Sequence, residues 1–257
     1  MSANAIRGFD PRALALPALI IVLWEIAHVR GWVDTRLIPS PPGVAQTAWQ
    51  SIFAEDFLPG LWESLYRDIA GFLAGGALGI ATGVALGMSR PLEAAINPTL
   101  NALKQISLFA WLPLLTSWFG YDDGAKILFI AASVFYPVAV STFEGVRAIP
   151  RAQLEVARVF RFNRRQLIFR LLLPGAAPRI LTGLQMGLVF AWLATIGSEF
   201  LLANWGNGLG NIIVHGREAL DVGLVIWGLL IVGAVGSILN ALAQRAENRL
   251  LQWRGAR

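Results

Sequence analysis

Few residues in this chain could do chemistry, and their types narrow what that chemistry is. There is no cysteine, which removes disulfides and thiolate metal sites. The two histidines, His28 and His215, lie far apart and lack ligand spacing, so each reads as an interfacial polar residue rather than a metal ligand. Only two lysines occur, Lys104 and Lys126, and neither follows a glycine, which excludes a G-x-x-x-x-G-K-[ST] phosphate loop. Neither H-E-x-x-H nor G-x-S-x-G is present. The expectation is a protein that is not an enzyme, with no catalytic residue and no metal or cofactor of its own. Energy for any work it does must come from an ion gradient or from another polypeptide.

What remains are polar residues set in apolar runs. Glu199 lies in TIGSEFLL, and an acid there is a functional candidate by default. Its plainer role is a structural carboxylate bonded to nearby backbone or to an arginine such as Arg217. Lys104 is followed by Ser107 and Trp111, with Tyr136 in the next apolar stretch, and together with Glu199 these are the candidates for a translocation path. Lys104 could lie deep, where a charge costs several kcal/mol unless paired or snorkelling. It could equally sit at the inner end of its helix, and the sequence leaves both placements open.

The elements that position these residues belong to a membrane. The chain has 257 residues, 56 % hydrophobic and only 14 % charged, with ten tryptophans. A soluble domain of this size carries about 25 % charged residues. Six stretches are long enough to cross a bilayer: Ala13–Val29, Trp62–Met88, Ile96–Phe119, Ala125–Phe143, Ala177–Ala203 and Val222–Ala243. The first lacks a small-residue cleavage site and reads as a retained helix. Pro98 and Pro113 are expected to interrupt the third span, and Pro137 to kink the fourth. The segment 31–60 is a polar excursion broken by Pro39, Pro41 and Pro42, with Val44–Phe53 as a short interfacial helix that puts Trp49 and Phe53 on one face. In the second span Gly71, Gly75, Gly79, Gly83 and Gly87 recur every four residues and form a groove for close helix packing.

The net charge of +5 does not point to nucleic acid, because the arginines are confined to segment ends. It sets topology. With the N-terminus inside, cytoplasmic segments collect fifteen Lys and Arg against five outside. The whole chain 1–257 then reads as one transmembrane domain. Residues 1–12, 145–176 and 244–257 are cytoplasmic, 31–60 and 204–221 are periplasmic, and lipid surrounds the spans.

The cytoplasmic segment Arg147–Pro178 is unlike the rest. It carries seven arginines before Pro174 against one acid, Glu155. Pro150 suits a first helical turn, Arg151–Phe160 follows as a helix, and Asn163 with Gln166 makes a capping-box pair opening a second helix into the fifth span. A basic amphipathic insert of this kind suggests that a second protein docks here.

At these residues a resemblance becomes specific. Glu155-Val156-Ala157, then Arg158 to Arg170, then Leu171-Leu172-Leu173-Pro174 resembles the E-A-A…G…I-x-L-P loop of permease subunits of bacterial ABC importers. Ser64-Leu65-Tyr66-Arg67 before the glycine ladder, Trp118-Phe119-Gly120, Gly183-Leu184 and Gly208-Leu209-Gly210 are similar to the nitrate/sulfonate/taurine branch. The resemblance implies an all-α polytopic type I importer fold working as a homodimer by ATP-driven alternating access, in which spans three to five reorient. It implies two ABC ATPase subunits that bind ATP and Mg, a periplasmic substrate-binding protein, and a location in the bacterial inner membrane with both termini cytoplasmic. The implied cargo is a small solute, an anion such as a sulfonate, taurine, nitrate or bicarbonate, in a branch that also carries neutral vitamin precursors. Glu155, Ala157, Arg158, Arg161, Asn163, Arg164, Leu173 and Pro174 are the coupling residues on this basis.

Two departures stand out. Val156 replaces an alanine, and Arg161 replaces the glycine of the loop. Glycine accepts a left-handed turn freely, whereas an L-residue there costs about 1–2 kcal/mol. Either the elbow is rebuilt, or Arg161 accepts the strain for a contact with an acidic groove on the ATPase. The alternative function is an ion-coupled secondary transporter or channel using Lys104 or Glu199.

Overall fold

The computed structural model describes residues 15–34, 37–202 and 206–251. Every regular element among them is helical, in the order α1 (Ala15–Val29), α2 (Pro41–Ile52), α3 (Phe57–Met88), α4 (Arg90–Leu103), α5 (Leu112–Phe119), α6 (Asp123–Arg147), α7 (Arg151–Val159), α8 (Arg164–Gln166), α9 (Leu173–Leu201), α10 (Leu209–Glu218) and α11 (Val222–Leu251). Four helical runs are long and apolar enough to cross a membrane: α3, α6, the continuous stretch Arg164–Leu201 that ends in α9, and α11. The chain is a multi-pass membrane protein.

The centre is α6, wedged between α3 and α9. The glycine groove of α3 lies along it: a Cβ at Gly79 would come 2.9 Å from the carbonyl oxygen of Phe135, and one at Gly87 would come 2.6 Å from Val146. Gly71, Gly75 and Gly83 meet the α6 backbone or its β-branched side chains in the same way. On the other flank a Cβ at Gly187 of α9 would reach Val134 and Val138 at 3.0 and 3.1 Å. Val134 and Val138, both fully buried, therefore touch glycine faces on two sides. Close approach of backbones is the main source of adhesion between helices where lipid supplies no hydrophobic driving force.

Several sequence expectations change. The third span, Ile96–Phe119, is not one crossing. α4 runs on through Pro98 and stops at Leu103, residues 108–111 form a 3₁₀ turn, and α5 begins with Pro113 in its first turn. The break falls on the polar stretch Lys104–Ser107, and Pro113 opens a helix where its missing N–H is harmless. Pro41 and Pro42 likewise start α2 instead of breaking it, behind the Ser40 cap, whose hydroxyl accepts from Gly43 N at 3.1 Å. Pro137 lies inside α6, in the span where the sequence placed it. α1 is described from Ala15, residues 13 and 14 of the expected first span lying outside the described residues, and α3 begins at Phe57 rather than Trp62. Trp49 and Phe53 do share a face, with ring centroids 4.8 Å apart.

Candidate functional site

Three regions hold the polar residues: the insert at one end of the bundle, a cavity halfway along it, and an ion network at the far end. The insert is fixed by backbone bonding rather than by a loose loop. α7 packs inward through buried Ala157 and half-buried Leu154 against the segment 167–172. It ends with Phe162 N donating to Ala157 O (3.0 Å) and Arg161 N donating to Arg158 O (2.9 Å), the Schellman arrangement with Arg161 in the left-handed position at φ 50°. The elbow is thus built as for glycine, and arginine carries its strain. Asn163 then caps the next helix: Gln166 N donates to Asn163 Oδ1 at 2.8 Å, and Asn163 N to Gln166 Oε1 at 3.0 Å. Such a reciprocal pair contributes about 1 kcal/mol. Residues 167–172 form a π-helical turn, with Leu173 N reaching back to Ile168 O, and Pro174 lies in the first turn of α9. Leu172 joins Val84, Val146, Ile149, Ala176 and Ile180 in an apolar cluster that anchors the insert to the bundle.

The outward side of α7 is different. Val159 is 80 % exposed and Phe160 72 %, with Val156 beside them. Arg151, Arg158, Arg161, Arg164, Arg165 and Arg170 are all exposed, and among the described residues none pairs with an acid. Glu155 is also exposed. The arginines next to the bundle do pair: Arg147 with Glu93, and Arg179 Nη1 with Glu144 Oε2 at 2.7 Å.

The cavity, of about 1210 Å³, lies between the broken α4–α5 arm and the α6–α9 wall. Its lining includes Lys104, Ser107, Trp111, Tyr136, Ser141 and Phe190. On α6 and α9 the lining residues recur four apart, as Tyr136, Val140 and Glu144 and as Thr182, Met186 and Phe190, so each helix presents one stripe. The Lys104 ammonium sits 5.8 Å from the centre of the Tyr136 ring. Tyr136 is thirteen residues from Asp123 and eleven from Arg147, so it lies roughly 20 Å from one end of α6 and 16 Å from the other at 1.5 Å per residue. The Lys104 ammonium is therefore level with the middle of α6.

At the far end Arg67 is 1 % exposed and bound on every side. Its Nε donates to Asp123 Oδ1 at 2.6 Å, Nη2 to Glu63 Oε2 at 2.5 Å, and Nη1 to both Glu199 Oε1 (3.0 Å) and the Asn207 carbonyl (2.6 Å). Glu199, fully buried, also accepts from Ser64 Oγ at 2.7 Å and from Gly210 N at 3.0 Å. Ser64 Oγ accepts from Leu209 N at 2.9 Å. Gly208 leaves no room for a side chain, since a Cβ there would overlap the Glu199 carboxylate. Lys126 is buried in the same cluster, and Asp68 below it accepts from Thr195 Oγ1 at 3.1 Å.

Residues 75–252 match the family model of the binding-protein-dependent transport system inner membrane component. The chain belongs to this family. It is 34 % identical to the permease SsuC of Bacillus subtilis, named for aliphatic sulfonates transport, over 95 % of this chain and 88 % of that protein. It is also 34 % identical to the SsuC of Escherichia coli, over 94 % of this chain and 91 % of the other. The fold is similar to that of the MetNI methionine ABC transporter in an inward-facing conformation, with a TM-score of 0.63 at 21 % identity over 76 % of this chain and 94 % of that one. The protein is the transmembrane permease subunit of an ABC importer, an all-α membrane protein and a transport component.

In this permease the structure gathers Lys104, Ser107, Trp111 and Tyr136 around one cavity. Glu199 is elsewhere. At about 100° per residue it points some 140° away from the Thr182–Met186–Phe190 stripe of its own helix. Its arginine partner is Arg67, not Arg217, which instead stacks 5.3 Å from the Phe200 ring. An ion-coupled site at Glu199 is not favoured, because Arg67, Ser64 and the Gly210 N–H already bond its carboxylate. Sequence reasoning did not single out Asp68 or Lys126, and took Arg67 only as part of the Ser64–Arg67 motif. The available signal was an Arg-Asp pair inside a 32-residue apolar helix.

Proposed function

We propose that the permease works as a pair of identical chains in the bacterial inner membrane, with both termini and the insert facing the cytoplasm. Two ABC ATPase subunits, which bind ATP and Mg and carry out the hydrolysis, seat against the insert. A periplasmic binding protein delivers the cargo at the Arg67 end. The cargo is a small anion of the sulfonate, taurine, nitrate or bicarbonate type, and its path runs through the cavity of Lys104, Ser107, Trp111 and Tyr136. ATPase closure pushes on Glu155, Ala157, Arg158, Arg161, Asn163 and Arg164, and Leu173 and Pro174 pass the movement into α9 and the cavity wall.

The observation that carries this reading is the shape of the insert. One side of α7 is built into the bundle, and the other offers an apolar knob, Val159 and Phe160, rimmed by arginines that form no ion pair among the described residues. An apolar centre with a charged rim is the composition of a protein interface. The test is to purify the permease gently from its native host. Co-purification of an ABC ATPase is expected, and intact permease recovered without one would remove the reading.

A further inference from the structure

Three charged residues line the cavity, and two of them, Glu144 and Arg179, pair with each other. That leaves Lys104, whose contact among the described residues is the face of the Tyr136 ring. The ring faces only part of the ammonium group, and a lysine has three donor hydrogens. Lys104 is exposed and lines the cavity together with Ser107, three residues on. A charge at this depth costs several kcal/mol without a counter-charge, and intramembrane lysines are rare unless a partner or a pathway explains them. No acid of this chain takes that role among the described residues: Glu144, the carboxylate of the lining, is two α6 turns from Tyr136 toward the insert. The walls around it are mostly apolar, through Leu100, Leu103, Trp111, Phe135 and Phe190, so little competes with an anion for the ammonium, and its field is less damped than in water.

We propose that Lys104, held on Tyr136, is an anion-binding residue in the middle of the membrane, through which this subunit itself selects the charge of what passes. This rests on the reading of the cavity as the translocation path. It adds that selection is not left wholly to the binding protein: a cargo without negative charge leaves Lys104 uncompensated at the moment of passage, and an anion relieves it.

The chain contains no cysteine, so Ser107→Cys introduces one thiol per permease chain, on the lining that also carries Lys104. In membrane vesicles holding the full permease with its ATPases, this thiol is treated with anionic sulfonatoethyl and cationic trimethylammonioethyl methanethiosulfonate. The ratio of the two rates reports local potential, and any change in thiol reactivity itself cancels. The anionic-to-cationic ratio is expected to fall at least fivefold when Lys104→Gln is added and to stay unchanged with Lys104→Arg. An equal ratio with and without Lys104 overturns the proposal, as it would if an acid of the second copy neutralised the lysine. If neither reagent modifies the thiol in any variant, the cavity is closed to water. The path reading then fails and takes this inference with it.

Discussion

At one end of the bundle Arg67 is buried and held by three carboxylates and a carbonyl; at the other, six arginines stand exposed and form no ion pair among the described residues. The residue type is the same, and the environments are opposite. Around Arg67 the partners come from α3, α6, α9 and the turn before α10, so the ion network ties four elements together and needs nothing from outside. On the insert a Schellman turn and a capping box fix the local backbone, while the exposed arginines form no ion pair among the described residues. A rigid frame carrying unsatisfied groups is suited to meeting another molecule, and a satisfied network is suited to holding its own helices in register.

Breaking the closed end should cost the most. Glu199→Leu leaves the Arg67 guanidinium partly uncompensated in a buried site, and loss of one member of a buried pair costs about 3–5 kcal/mol. The temperature at which the detergent-solubilised permease inactivates should drop sharply. The double variant Arg67→Met with Glu199→Leu should recover part of the loss, since the half-exposed Glu63 and Asp123 can turn to solvent. A double variant as unstable as the single one would mean that the network is not the stabilising feature. At the open end, Val159→Asp with Phe160→Asp should leave thermal stability unchanged and weaken ATPase association tenfold or more, as loss of an interface centre does. Equal association would mean that the knob is not the docking face. The smallest effect sharpens the contrast at one residue. Arg161→Gly removes left-handed strain and should stabilise the free permease by about 1 kcal/mol. It should also weaken ATPase binding at low salt, and unchanged or tighter binding would remove the contact assigned to Arg161.

The long helices were legible from apolar run length alone, and the insert from its arginines and from the Asn163–Gln166 spacing. Lys104, Ser107 and Trp111 are near neighbours in the chain, so their grouping with Tyr136 was also open to sequence reading. Two features were not. The run Ile96–Phe119 has the hydropathy of a crossing, and hydropathy is blind to a backbone break at Lys104–Ser107. The Arg67 site draws its partners from positions 63, 123, 199 and 207, and only the first is local. An arginine one helical turn from Glu63 looks like a surface pair. Its burial follows from tertiary packing around Gly206, Gly208 and Gly210, which is not written in the neighbouring residues.

The π turn at Leu167–Leu172 has a consequence for comparing relatives. It inserts one residue beyond what an α-helix of the same length needs, which turns everything before it by about 100° relative to α9. A relative whose corresponding stretch is plainly α-helical would reach the same placement of its elbow over its cavity stripe with one residue fewer. A single-residue gap between the capping asparagine and Pro174 is then a change of helix type with conserved geometry, and shifting the alignment to close it would assign every insert position to the wrong face.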